Sequence, residues 1–136
     1  STSSRPGRSG RATSRRSGPK PFMSRRSIRF LLADMLEAME RIDRYTKNLD
    51  LPAFLEDEKT SDAVVRNLEI VGEAAAHVPA EYWATVPDVE SAKIVGLRNR
   101  VVHGYFAVDL ELVWRIVKSD LPPLATRLRA LLDSLG

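Results

Sequence analysis

Seven apolar side chains, Ile28, Leu31, Leu32, Met35, Leu36, Met39 and Ile42, recur three and four residues apart. That repeat is one face of an α-helix and does not fit a strand. Glu37 with Arg41 and Glu40 with Arg44 form i,i+4 pairs on the other side, so the segment reads as an amphipathic helix with Ser27 as its N-cap. A second stripe, Val64, Val65, Leu68, Val71 and Ala75, follows a connection containing Pro52. Its helix should be capped by Thr60 or Ser61 and end near Pro79. Residues 79–88, bracketed by Pro79 and Pro87 and holding Tyr82 and Trp83, suggest a short helical lid on the core.

A third helix is expected from about Val89 to His103, with Ile94, Leu97 and Val101 inward and Gly104 ending it in a left-handed conformation. Asp109 should cap the last helical region, whose seam is Leu110, Val113, Trp114, Val117, Leu121, Leu124, Leu128 and Leu131. Pro122 and Pro123 remove two backbone donors from it, which predicts a kink or a restart capped by Asp120. No segment alternates with period two. The expected fold is all-α: an antiparallel bundle of four to five helices with the last one kinked or broken at Pro122-Pro123.

At 136 residues the chain suits a single domain, but its charge is segregated. Residues 1–29 hold nine Arg or Lys and no acid, a charge of +9, whereas residues 30–136 hold twelve basic and eighteen acidic residues, a charge of −6. The expected division is a disordered, basic, Arg/Ser-rich tail over 1–26 and a helical domain over 27–136, because the first 22 residues carry too few apolar side chains to offset ordering entropy. Two readings of the tail stay open: an arm that holds phosphate backbones by releasing counterions, or an upstream extension with Met23 as the true start. A transit peptide fits less well, since the stretch has no apolar stripe.

The absence of cysteine excludes disulfides, thiol nucleophiles and cysteine-ligated zinc, and fits a reducing cytosol. No apolar run approaches the roughly 18 to 20 residues needed to span a bilayer, so a soluble, cytoplasmic protein without a membrane partner is expected.

The sequence contains no phosphate-binding glycine loop, dinucleotide fingerprint, nucleophile elbow or HExxH. One dense polar cluster remains, Arg98-Asn99-Arg100-Val101-Val102-His103-Gly104-Tyr105. Arginine can fork onto a phosphate, histidine moves protons near neutrality and tyrosine adds a hydroxyl, a set suited to a phosphodiester. On an ideal helix Arg98 and His103 lie about 140° apart, whereas Asn99, four residues before His103, shares its face and could orient the imidazole. A two-fold dimer with these helix ends facing each other would gather both arginines and both histidines into one cleft. The competing reading is that Arg and His near a helix C-terminus simply meet the negative end of its dipole. His77, at the end of the second helix, is read as structural. The i,i+4 pair Glu69 and Glu73 is a candidate support for the cleft, but such pairs are usually a solvated face. No metal site or cofactor is expected.

The segment Leu97-Arg98-Asn99-Arg100-Val101-Val102-His103-Gly104-Tyr105-Phe106 resembles the R-x4-6-H motif of HEPN domains, in the R-x4-H-x-Y form typical of HepT-like toxins. Asp34 to Ile42 resembles that family's first helix, Asp62 to Ala74 its second, and Val113-Trp114-Arg115-Ile116-Val117 with Asp120-Leu121-Pro122 its last. The likeness covers roughly residues 28 to 134. One departure is that Pro87 is followed by Asp88-Val89-Glu90 where the family commonly has a Pro-Trp pair.

The resemblance implies a metal-independent ribonuclease toxin, acting as a homodimer on transfer or messenger RNA and paired with an MntA-like nucleotidyltransferase antitoxin. It makes Arg98 and His103 the catalytic pair and Tyr105 the tyrosine to which the antitoxin adds AMP. Two other functions compete with it. One is a non-catalytic HEPN adaptor that binds a nucleotidyltransferase partner or a nucleotide. The other is a nucleic-acid-binding regulator that relies on the basic arm.

Overall fold

A computed structural model describes residues 24–103 and 107–136; the tail up to residue 23 and Gly104, Tyr105 and Phe106 lie outside the described residues. The described chain is a helical bundle with one two-rung hairpin. Helix α1 spans Arg25–Thr46, α2 Leu51–Glu56 and α3 Glu58–His77. The short helices α4, Ala80–Ala84, α5, Ser91–Val95, and α6, Leu97–Val101, follow. Strands β1, Val102–His103, and β2, Ala107–Val108, pair antiparallel with Val102 opposite Val108 and His103 opposite Ala107. Helix α7, Leu110–Arg115, runs through a π-helical segment, Ile116–Asp120, into α8, Leu121–Leu135.

The apolar stripes read from the sequence form the core. Ile28, Leu32, Met35, Leu36, Met39 and Ile42 of α1 are buried against Val64, Leu68, Val71 and Ala75 of α3. Val113, Val117, Leu121, Leu128 and Leu131 close the other side. Burial of each Leu or Ile side chain stabilises the fold by about 2 kcal/mol. The last region runs antiparallel to α1. Arg25 Nη2 donates to the Ser134 carbonyl near one end, and Lys118 Nζ donates to the Thr46 carbonyl at the other.

The caps differ from those expected. Ser24 rather than Ser27 starts α1, its hydroxyl accepting from Ser27 N at 3.1 Å; the helix therefore begins two residues ahead of the 27–136 boundary. Asp57 rather than Thr60 or Ser61 starts α3: it accepts from Thr60 N at 3.1 Å and from the Thr60 hydroxyl at 2.7 Å. Both corrections have one cause, since the residue expected to cap is the first-turn donor whose N–H is being capped. The connection around Pro52 is itself helical. Asp50 accepts from Ala53 N at 3.0 Å, and proline in the first turn gives up an N–H that has no intrahelical partner there. Asp109 caps α7 as expected, accepting from Leu112 N at 3.0 Å. The short α4 packs as a lid, with Tyr82 and Trp83 buried and Trp83 Nε1 donating to the Ala75 carbonyl at 3.2 Å.

Two expectations about the later chain are overturned. The third helix does not run from Val89 to His103. It is divided at Gly96, whose backbone leaves the helical region at φ −86° and ψ 8°, and it stops at Val101. Val102 turns extended at φ −98° and ψ 125°, consistent with the β-branched pair Val101-Val102 favouring a strand. The last helix is not restarted by an Asp120 cap, because Asp120 has helical backbone angles and its side chain makes no cap bond. The prolines are absorbed by widening the turn instead, with Leu121 N donating five residues back to the Ile116 carbonyl. The wide turn supplies an alternative to the i−4 bonds that Pro122 and Pro123 cannot make.

Candidate functional site

Helix α3 provides the floor of the candidate site. Gly72 allows the backbone of α5 to approach it closely: a Cβ at this position would lie 3.1 Å from the Ile94 carbonyl oxygen and 3.4 Å from that of Val95. The chain then turns at Gly96 and enters α6, whose five residues are too few to be helical alone. Burial of Ile94, Leu97 and Val101 holds α5 and α6 in place.

Leu97 faces the core, so Arg98 and Asn99 emerge on the surface. The Arg98 side chain is 65% exposed, and its Nε donates to Glu69 Oε2 of α3 at 3.3 Å. The other oxygen, Glu69 Oε1, faces Arg66 Nη1 at 3.5 Å. One carboxylate thus bridges two guanidinium groups. Together with Gly72, Glu73 and Ala76 of α3, and with Val95 and Asn99 opposite, these three residues line a shallow cavity of ≈ 370 Å³.

Arg100 is directed elsewhere, its Nη2 lying 3.5 Å from Asp120 Oδ2 in the π-helical segment. It lines a separate hollow of ≈ 460 Å³ beneath α5. There Arg127 of α8 forks onto Asp88, with Nε on Oδ2 and Nη2 on Oδ1 at 3.2 Å. The Asp88 carboxyl is held below its ordinary range by the hydrogen bonds from Arg127. This ion pair ties the entry of α5 to α8.

Arg98 and Asn99 line one cavity. His103 is the second residue of β1, beyond the end of α6, so the expected i,i+4 helical relation between Asn99 and His103 does not form. Tyr105 lies outside the described residues. His77 sits at the end of α3, with Nδ1 2.8 Å from the Glu73 carbonyl, a bond that requires the proton on Nδ1. Glu69, which the sequence offers either as support for the cleft or as half of a solvated pair, is the partner of Arg98. The available signal was Arg66 three residues before it, which marks Glu69 as paired but says nothing about α6. Among the described residues, no group of three or more His, Asp or Glu side chains is placed to hold a metal ion, and no helix is long and apolar enough to cross a membrane.

Comparison with known proteins is consistent across the helical part of the chain. A family described as Ribonuclease HepT-like matches residues 35–131. A protein of Methanocaldococcus jannaschii named "Putative RNase MJ1380" is 37% identical over 102 residues, 75% of this chain and 94% of the relative. One of Thermococcus cleftensis named "Probable ribonuclease HepT" is 37% identical over 100 residues, 74% of this chain and 91% of the relative. No solved structure matches.

Proposed function

We propose, for a chain that belongs to the HepT-like ribonuclease family, that it is a metal-independent endoribonuclease serving as the toxin of a toxin–antitoxin pair. The observation that carries this reading is Arg98. It is a mostly exposed guanidinium held at the rim of a cavity by a carboxylate on another helix, and it occupies the first position of the R-x4-H-x-Y run.

The chemistry follows from the residue types. The RNA 2′-oxygen forms a bond to the adjacent phosphorus while the bond from phosphorus to the 5′-oxygen breaks, leaving a 2′,3′-cyclic phosphate. His103 transfers protons: the 2′-hydroxyl must lose one and the departing 5′-oxygen must gain one. Arg98 stabilises the negative charge that builds on the phosphoryl oxygens, as its forked donors suit that geometry. DNA lacks the attacking hydroxyl and should survive. A homodimer would place two such sets across one cleft, with Asn99 as a supporting polar group. AMP added to Tyr105 by an MntA-like nucleotidyltransferase antitoxin would block the cleft by bulk and negative charge.

The test is digestion of transfer or messenger RNA in EDTA by the purified chain, with His103→Ala and Arg98→Ala alongside. Cyclic-phosphate ends are expected from the parent and should fall by roughly a hundredfold or more in both variants. Cleavage that needs an added metal, or equal cutting of DNA, would overturn the mechanism.

A further inference from the structure

The Glu69 bridge bears on how Arg98 would work. A guanidinium carries five donors in one rigid plane. A bond at Nε fixes that plane, while the terminal amino groups, which carry the other four donors, can fork onto a phosphate. Glu69 occupies Nε, at 3.3 Å. The carboxylate is the better anchored partner, its side chain 30% exposed against 65% for Arg98. It projects from the long helix α3, whereas Arg98 stands on a five-residue helix beside a hairpin. A free arginine at such a position would sample many rotamers, and each misplaced one forfeits the orientation on which the transition state depends.

From this contact we infer that Glu69 is the positioning residue for Arg98: it holds the guanidinium plane so that the terminal amino groups face the scissile phosphate. The role rests on the ribonuclease reading above. It also carries a sign that distinguishes it from substrate binding. A carboxylate near a phosphate opposes RNA binding, so removing it should lower kcat without raising KM.

The experiment measures kcat and KM on a fluorescent oligoribonucleotide in EDTA, with melting temperatures as a check on folding. Glu69→Ala should lose kcat roughly tenfold to a hundredfold, with KM unchanged or lower. Glu69→Gln, which keeps an acceptor for Nε, should recover most of the loss. Glu69→Asp keeps the charge but withdraws it by one methylene; it should behave like the alanine variant and tests the contact even if alanine fails to fold. In an Arg98→Ala background, single-turnover rates should not fall further when Glu69→Ala is added.

Parental kcat in both Glu69→Ala and Glu69→Asp, or losses that multiply in the double variant, would overturn the positioning role and leave the ribonuclease reading intact. Absence of RNA cleavage by the parent protein would overturn the ribonuclease reading, and the positioning role with it.

Discussion

Arg98 Nε and Glu69 Oε2 lie 3.3 Å apart although 29 positions separate the residues in the chain. Arg100, two residues further along the same short helix, turns to the opposite side and meets Asp120 Oδ2 at 3.5 Å. A helix of five residues thus presents one arginine to the candidate cleft and uses another to bind the π-helical segment.

The two arginines should therefore separate activity from stability. Arg98→Ala should reduce RNA cleavage by roughly a hundredfold or more and leave the melting temperature nearly unchanged. Arg100→Ala removes a partly exposed ion pair worth about 0–1 kcal/mol, so it should lower the melting temperature slightly and leave kcat close to parental. Measuring cleavage and thermal unfolding on both variants checks this, and a reversed pattern would contradict the assignment.

Gly72→Ala should damage the cleft from beneath. The new methyl would press on the Ile94 carbonyl at 3.1 Å, and backbone cannot rotate out of its way. Overpacking of this kind costs about 1–3 kcal/mol, against about 1 kcal/mol gained when alanine replaces a glycine inside a helix. The displaced α5 would carry α6 and Arg98 with it. The expected result is a lower urea midpoint together with a fall in kcat larger than that caused by an exposed change such as Lys59→Ala.

Tyr105→Phe removes the hydroxyl that AMP would occupy. The variant should cleave RNA and remain active after incubation with ATP and the nucleotidyltransferase partner, while the parent is silenced. Intact-mass spectrometry reads the outcome, and AMP found on another residue would reassign the switch.

The acid limb of stability should be set in part by Asp57 and Asp88. Hydrogen bonds from the Thr60 hydroxyl and backbone lower the Asp57 pKa, and those from Arg127 lower that of Asp88. A depressed carboxyl contributes its full stabilisation only above the unfolded-state value, near pH 4. That contribution shrinks as the pH falls further and is lost below the folded-state pKa. Asp57→Asn and Asp88→Asn should therefore melt earlier than the parent at neutral pH and approach it in strong acid. Melting curves across pH would reveal parallel profiles if the carboxylates were irrelevant.

The long helices were legible because their apolar repeats are long and unbroken: six of the seven α1 stripe residues are buried. The same logic failed where short-range preferences compete. Ile94, Leu97 and Val101 keep helical spacing and are buried, yet Gly96 and the valine pair divide the segment and send His103 into a strand. The proline pair announced a disturbance but not its form, since a kink, a restart and a wide turn all satisfy two missing donors. The pairing of Glu69 with Arg98 was illegible for another reason. It depends on how two helices approach one another, and the glycine that permits the approach looks in sequence like any weak point in a helix.

The hairpin stem couples the two helices that flank it. Asp109 N returns to the Val101 carbonyl at 2.6 Å, and the two rungs of β1 and β2 close the path between them. A disturbance in either strand is therefore passed to the end of α6 and the start of α7 together. The short helix that carries Arg98 and the region that closes the bundle are thus held in register by two rungs of backbone pairing.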